Sequence, residues 1–170
     1  MRRIVLISTG GTIEKTYDEA RGTLENRRSV VQRMLRRLRL VDTEIAHVDL
    51  LSKDSLDLDD ADRQRIVDAV RLHSGEAAGV VVLHGTDTLA ETGRRLHELV
   101  GESLGVPIVL TGAMRPYEMK ASDALQNLTE AIFAAGVLAP GVYCVAHGRA
   151  LPLPGVRKDR ELGTFIGVPE

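Results

Sequence analysis

Two segments of this 170-residue chain place a threonine hydroxyl directly after turn residues at the end of an apolar run. In LISTGGTIEKTY, Leu6 to Tyr17, the run enters Gly10 and Gly11 and then Thr12; in VVVLHGTDTLAETG, Val80 to Gly93, it enters His84 and Gly85, then Thr86 and Asp87. Glycines at such a mouth take positive φ and let the backbone approach a ligand, and a threonine hydroxyl becomes a nucleophile once a base takes its proton. One segment alone is explained by an ordinary tight turn. The pair predicts an acyl-transfer site, in which one hydroxyl attacks a carbonyl while turn N–H groups stabilise the oxyanion, each such donor contributing on the order of 3 kcal/mol.

A threonine near neutral pH needs help to react. Asp87 beside Thr86, together with Lys158 in GVRKD, offers a Thr-Lys-Asp relay in which the carboxylate orients the amine that handles the proton. Tyr17, five residues beyond Thr12, brings a phenol that reaches the Thr12 hydroxyl if the intervening loop folds back. His84 shapes its turn by hydrogen bonding. His47, His73, His97 and His147 are scattered without ligand-like spacing, so neither a metal nor another cofactor is expected. Cys144, alone in the chain and inside the apolar run Val142 to Ala146, reads as a buried strand residue. Neither glycine segment has the G-x-x-x-x-G-K-[ST] spacing of a phosphate-binding loop.

These residues need a frame that brings distant segments together. Apolar runs of strand length occur at Arg3 to Ser8, Thr43 to Leu50, Gly79 to Leu83, Pro107 to Leu110 and Gly141 to Ala146. Helical periodicity marks Ser29 to Leu40, Asp59 to Leu72, Thr88 to Val100 and Ala121 to Ala135. This alternation predicts parallel βαβ units and a doubly wound, mostly parallel five-stranded α/β sheet of the flavodoxin-like or Rossmann-like three-layer kind. In such sheets the ligand crevice lies outside the carboxyl ends of the strands, where Thr9 to Thr12, Ser52 to Asp57, His84 to Thr88 and Thr111 to Arg115 all fall. Residues 1–170 are expected to form a single domain, with residues 147–170 as a substrate-proximal loop and tail.

The hydrophobic fraction of 44% suffices for one core, and only 3% of residues are aromatic, so that core must be aliphatic. A formal net charge of -2 gives no pull toward nucleic acid or an anionic membrane and fits a small, uncharged or zwitterionic partner. The arginines from Arg33 to Arg39 read as a solvated helix face. The first strand starts within three residues of Met1, which leaves no room for a signal peptide, and no apolar run reaches the 18 or so residues of a membrane span. A cytoplasmic protein is the expectation.

TGGTI at Thr9 to Ile13, DSLD at Asp54 to Asp57, HGTDT at His84 to Thr88, TGAMRP at Thr111 to Pro116 and SDALQNL at Ser122 to Leu128 stand in the order and spacing of bacterial-type L-asparaginases. The chain resembles that family over nearly its whole length. The resemblance implies that Thr12 is the acyl-accepting nucleophile with Tyr17 as its hydroxyl partner, and that Thr86, Asp87 and Lys158 form a second triad. It implies further that Ser55 holds the substrate α-carboxylate, Asp87 the α-amino group and the backbone around Ala113 the side-chain amide. Gly11, Asp54 and Gly85 complete the implied binding positions.

Family members carry the partner tyrosine farther along, where this chain has Arg21, Gly22 and Thr23, and Leu56 replaces the polar residue that often follows the binding serine. Lys158 rather than Lys120 is expected in the triad because it follows the fifth strand. The chain is about half the usual length, which reads as a short form without the second domain, with a more open pocket and a high KM. The expected activity is hydrolysis of L-asparagine to L-aspartate and ammonia, with L-glutamine slower, by a homo-oligomer, a dimer or a tetramer. Two alternatives stand beside it: an ammonia-supplying component of a tRNA-dependent amidotransferase, and a module that binds amino acids without turnover.

Overall fold

The computed structural model describes residues 1–168, so the last two positions of the 147–170 tail lie outside the described residues. In chain order its elements are β1 (Arg2–Gly10), β2 (Thr16–Asp18), β3 (Thr23–Glu25), α1 (Val31–Leu35), β4 (Thr43–Lys53), α2 (Asp60–Ser74), β5 (Gly79–Leu83), α3 (Leu89–Leu99), β6 (Pro107–Thr111), α4 (Ala124–Ala135), β7 (Gly141–Ala146), β8 (Arg149–Pro152), β9 (Val156–Asp159) and β10 (Thr164–Gly167). The main sheet has the order β4-β1-β5-β6-β7-β8. Its first five strands are parallel and β8 returns antiparallel at the edge. Counted by appearance those five run 2-1-3-4-5, the flavodoxin-like order.

Every residue of β5 and β6 is buried, which is why both read as unbroken apolar runs: a parallel strand between two helical layers has no solvent face. Alternation still sorts the side chains. Val5, Ile7, Val80, Val82, Ile108 and Leu110 point to one face, where Ile66, Val70, Leu89 and Leu96 of α2 and α3 close over them. Ile4, Leu6, Val81, Leu83 and Val109 point to the other, against Met34 of α1 and Leu128, Ala131 and Ile132 of α4. The strand period of two therefore builds two cores from one sheet. Cys144 lies in the first of them, and burial pushes its thiol up to about 12.

Three features differ from the sequence expectation. The sheet has six strands rather than five, because His147 and Gly148, at φ 53 and 76, turn the chain directly from β7 into β8; positive φ at both central positions suits a two-residue hairpin. The stretch read as a loop from His147 onward continues into the antiparallel β9–β10 hairpin. The helix expected over Ser29 to Leu40 is α-helical only at Val31–Leu35 and continues in tighter turns, Arg37 N–H to Met34 O and Leu38 N–H to Leu35 O. Arg33, Arg36 and Arg37 stand three and four residues apart, a like-charge spacing that opposes a longer helix.

Candidate active site

The strand order reverses between β1 and β5, and Thr12 and Thr86 follow those two strands. The mouths touch through glycine. Gly11 takes φ 77, and a Cβ there would lie 2.4 Å from the Gly85 nitrogen; a Cβ at Gly85 would lie 2.5 Å from Ser55 Oγ. Only bare backbone fits at either position, so the ends of β1, β5 and β4 stack in direct contact. Gly112, after β6, packs equally closely against the carbonyl of His84.

Lys158 reaches this point from β9. Its Nζ donates to Thr86 Oγ1 at 2.7 Å and to Asp87 Oδ1 at 3.0 Å, and pairing of Lys158 with the buried Phe165 of β10 fixes the strand that carries it. Thr86, Asp87 and Lys158 are thus brought together, while Lys120 is exposed and takes no part in these bonds. His84 holds the turn from beneath: it is fully buried, with Nδ1 2.8 Å from Gly85 O and Nε2 2.8 Å from Thr92 Oγ1. Burial drives its pKa down to about 4, so the ring is neutral, with Nδ1–H donating to the carbonyl and Nε2 accepting from the threonine.

Thr12 opens a 3-10 turn, half-buried, and its mouth is held through the backbone of Gly10 and Gly11. Gly11 N–H donates to Lys53 O at 2.8 Å, Asn26 Nδ2 donates to Gly11 O at 2.8 Å, and Gly10 N–H donates to Glu14 Oε2 at 3.1 Å. The Glu14 carboxyl is raised to about 7 by burial, against the lowering effect of its bonds from Ser29 and Gly10. Among the described residues no side chain bonds the Thr12 hydroxyl, and Tyr17 is not brought to it. Tyr17 sits on β2 opposite Leu24, 54% exposed, its N–H donating to Glu118 and its phenol near Gly22. Among the described residues the Tyr17 phenol makes no hydrogen bond.

Ser55 is buried beside Gly85, and its hydroxyl has no hydrogen-bond partner among the described residues. Thr88 Oγ1 donates to Ser55 O at 2.9 Å, tying the β4 mouth to the β5 mouth. Asp54 caps the same turn through Leu56 N–H and pairs with Lys15 at 2.5 Å, which holds its carboxyl below the usual range. Ala113 is buried behind the cleft. Its loop is anchored by Asp123, which accepts from Met114 N–H and Arg115 N–H, and by Asn127, which donates to Gly112 O. His147 bridges Asp123 Oδ2 and Thr164 Oγ1 at 2.7 Å each, linking that anchor to the hairpin of Lys158. Burial acts to raise Asp123, but the donors from Met114, His147 and Arg115 together hold it low.

Sequence reading missed Arg160, whose guanidinium lies 2.6 Å from the same Asp87 oxygen that Lys158 holds. A signal was present: two positions past Lys158, at the end of a strand, the side chain returns to the same face. Lys15 and Asn26 carried no comparable mark, since their partners come from other segments.

A doubly wound domain with paired threonine mouths at its topological switch point defines a class, and comparison with known proteins supplies the family. The family described as Asparaginase, N-terminal matches residues 3–162, and the chain belongs to the asparaginase family. It is 36% identical over 135 residues to a glutamyl-tRNA(Gln) amidotransferase subunit of Thermoplasma acidophilum, covering 79% of this chain and 33% of that protein. It is 32% identical over 139 residues to L-asparaginase 1 of Escherichia coli, covering 79% of this chain and 40% of the relative. The solved thermostable L-asparaginase from Thermococcus kodakarensis superposes with a TM-score of 0.89 at 30% identity, over 99% of this chain and 52% of that one. The chain therefore spans about a third to a half of the length of these three proteins. Among the described residues no helix is long and apolar enough to cross a membrane.

Proposed function

We propose that this chain is an amidohydrolase that cleaves the side-chain amide of L-asparagine, with L-glutamine slower, through an acyl-threonine intermediate on Thr12. The observation that carries the reading is Lys158 bridging Thr86 and Asp87 while Gly85, next to Thr86, packs on Gly11, next to Thr12. Attack of Thr12 Oγ on the amide carbon forms the ester as the C–N bond breaks. The hydroxyl proton leaves with the nitrogen as ammonia; water then cleaves the ester, returning a proton to Thr12. The Thr86-Lys158-Asp87 relay handles protons at the two steps, and N–H groups of the contacting turns receive the oxyanion. Ser55 supplies a hydroxyl for the α-carboxylate, Asp54 shapes its turn, and the Ala113 loop faces the amide. Residues 147–168 form the substrate-proximal wall, and the working protein is a cytoplasmic homo-oligomer, a dimer or tetramer.

The test is ammonia release from L-asparagine, with Thr12→Ala expected at background. Mass spectrometry of a quenched reaction should find the acyl group on the peptide that contains Thr12. Undiminished turnover by Thr12→Ala removes Thr12 from the mechanism. A second reading follows from the Thermoplasma relative, whose name is that of an amidotransferase component: amide cleavage with the ammonia passed to a partner chain. Full-rate release of free ammonia by the isolated chain counts against it. Tyr17 enters only if the β2–β3 hairpin closes over Thr12.

A further inference from the structure

We propose that Arg160 biases this cleft toward ω-amides that lack an α-ammonium group, the monoamides of plain dicarboxylic acids, over amides of α-amino acids. The inference rests on reading the cleft as an amide-cleaving site and concerns which amide it takes. Asp87 is the carboxylate placed to meet a substrate ammonium, yet its Oδ1 already receives Arg160 at 2.6 Å and Lys158 at 3.0 Å. Asp54, the next carboxylate at the mouth, is paired with Lys15. Asp87 and Asp54 are thus already paired with three cations between them, and an ammonium arriving at Asp87 must either displace the guanidinium or sit beside it.

The same arrangement suits an anion. Arg160 is 74% exposed, and with one N–H on Asp87 its remaining donors stay available to a carboxylate. Ser55 adds a buried hydroxyl with no partner among the described residues. A dicarboxylic monoamide offers the free carboxylate both groups favour and omits the charge that Arg160 opposes. Because Arg160 is exposed, solvent screens the repulsion, and the expected discrimination is modest, about tenfold.

Succinate and L-aspartate differ only by the α-ammonium group, so calorimetry with both measures the preference without requiring turnover. The native protein should bind succinate about tenfold more tightly than L-aspartate. Arg160→Ala should bring the two to parity, because succinate loses the carboxylate contact outright while aspartate loses the same contact but is relieved of the repulsion on its ammonium. Equal or tighter binding of L-aspartate by the native protein overturns the proposal. So does binding of neither ligand, or a shift of both affinities by the same factor in Arg160→Ala. Ammonia release from succinamate and L-asparagine on the same preparations should follow the same ratio. If succinate preference holds and Arg160→Ala abolishes it, but neither amide yields ammonia, the amidohydrolase reading fails while the selectivity stands.

Discussion

The Thr12 mouth and the Thr86 mouth share a design, an apolar strand ending in a glycine turn and a threonine, but they hold their hydroxyls in opposite ways. Thr86 is buried and fixed by side chains: Lys158 on its oxygen, Asp87 behind the lysine, His84 under the turn. Thr12 is half-buried and fixed only through backbone, by Lys53, Asn26 and Glu14 acting on Gly10 and Gly11. A hydroxyl that must form and break a covalent bond is left open on the reacting side, whereas one that relays a proton gains from a fixed partner. The proposed function gives attack to the first and proton handling to the second, and that division of roles is what the contrast puts to the test.

The sharpest way to break this contrast is to remove the partner that only one mouth has. Lys158→Met is expected to lower kcat for amide cleavage by roughly 10²- to 10⁴-fold, the range for loss of a positioned acid or base. Thermal unfolding measured alongside should move little in comparison, because the lysine is at the cleft rather than in either core. Turnover within a few-fold of native would make the Thr86 relay structural and leave Thr12 to react unaided.

Much of this geometry was legible beforehand for a definite reason. Runs such as Gly79 to Leu83 are apolar throughout because both faces are covered, and the alternation with helices then dictates a parallel sheet with its ligands at the carboxyl ends. Thr12 and Thr86 lie within a few residues of those ends, so locating the strands located them, whereas Ser55 and Ala113 are singled out within their strand-end stretches only by the resemblance to asparaginases. Lys158 needed the fifth strand as a reference and was found with it. What stayed hidden depends on tertiary pairing: Lys15 on Asp54 and Asn26 on Gly11 join segments with no local signature, and Arg160 on Asp87 is marked only by its spacing from Lys158. The Tyr17 expectation needs a loop that folds back, and the structure instead places Tyr17 in the β2–β3 ladder opposite Leu24 with its ring exposed.

Each mouth also buries one titratable group, and their effects on stability have opposite sign. Glu14 has a folded pKa near 7, above its ordinary 4.5, so the fold holds this proton more tightly than the unfolded chain. Its contribution is full below about 4.5 and is lost as pH rises through about 7. His84 has a folded pKa near 4, below its ordinary 6.5, so stability is lost as pH falls from about 6.5 toward 4. Between about 4.5 and 6.5 the two slopes oppose each other. Glu14→Gln, which keeps an acceptor for Gly10 N–H, should unmask the His84 slope. Its stability relative to native should grow as pH rises from 4.5 to 7, by an amount on the order of 3 kcal/mol. Denaturant titrations at several pH values measure it, and parallel native and variant curves would show that Glu14 does not titrate there.

Asn26→Ala probes the backbone clamp alone. It leaves Gly11 O without its side-chain donor, a loss of about 1 kcal/mol for a hydrogen bond of this kind. A turn that carries the nucleophile should convert that loss into a fall in kcat of a few-fold at unchanged KM, whereas a merely structural asparagine would lower the melting temperature and leave kcat alone.

The smallest effect expected is at Tyr17→Phe. The phenol makes no hydrogen bond among the described residues, and the ring is more than half exposed on a two-stranded hairpin. Removing one oxygen from it should change kcat by less than about twofold, in line with surface substitutions that touch nothing. A fall of a hundredfold or more would mean that the hairpin closes over Thr12 during turnover and brings the phenol to the hydroxyl. The Thr12 mouth would then have a side-chain partner after all, one acquired in the reacting complex, and the difference between the two mouths would be one of timing rather than of construction.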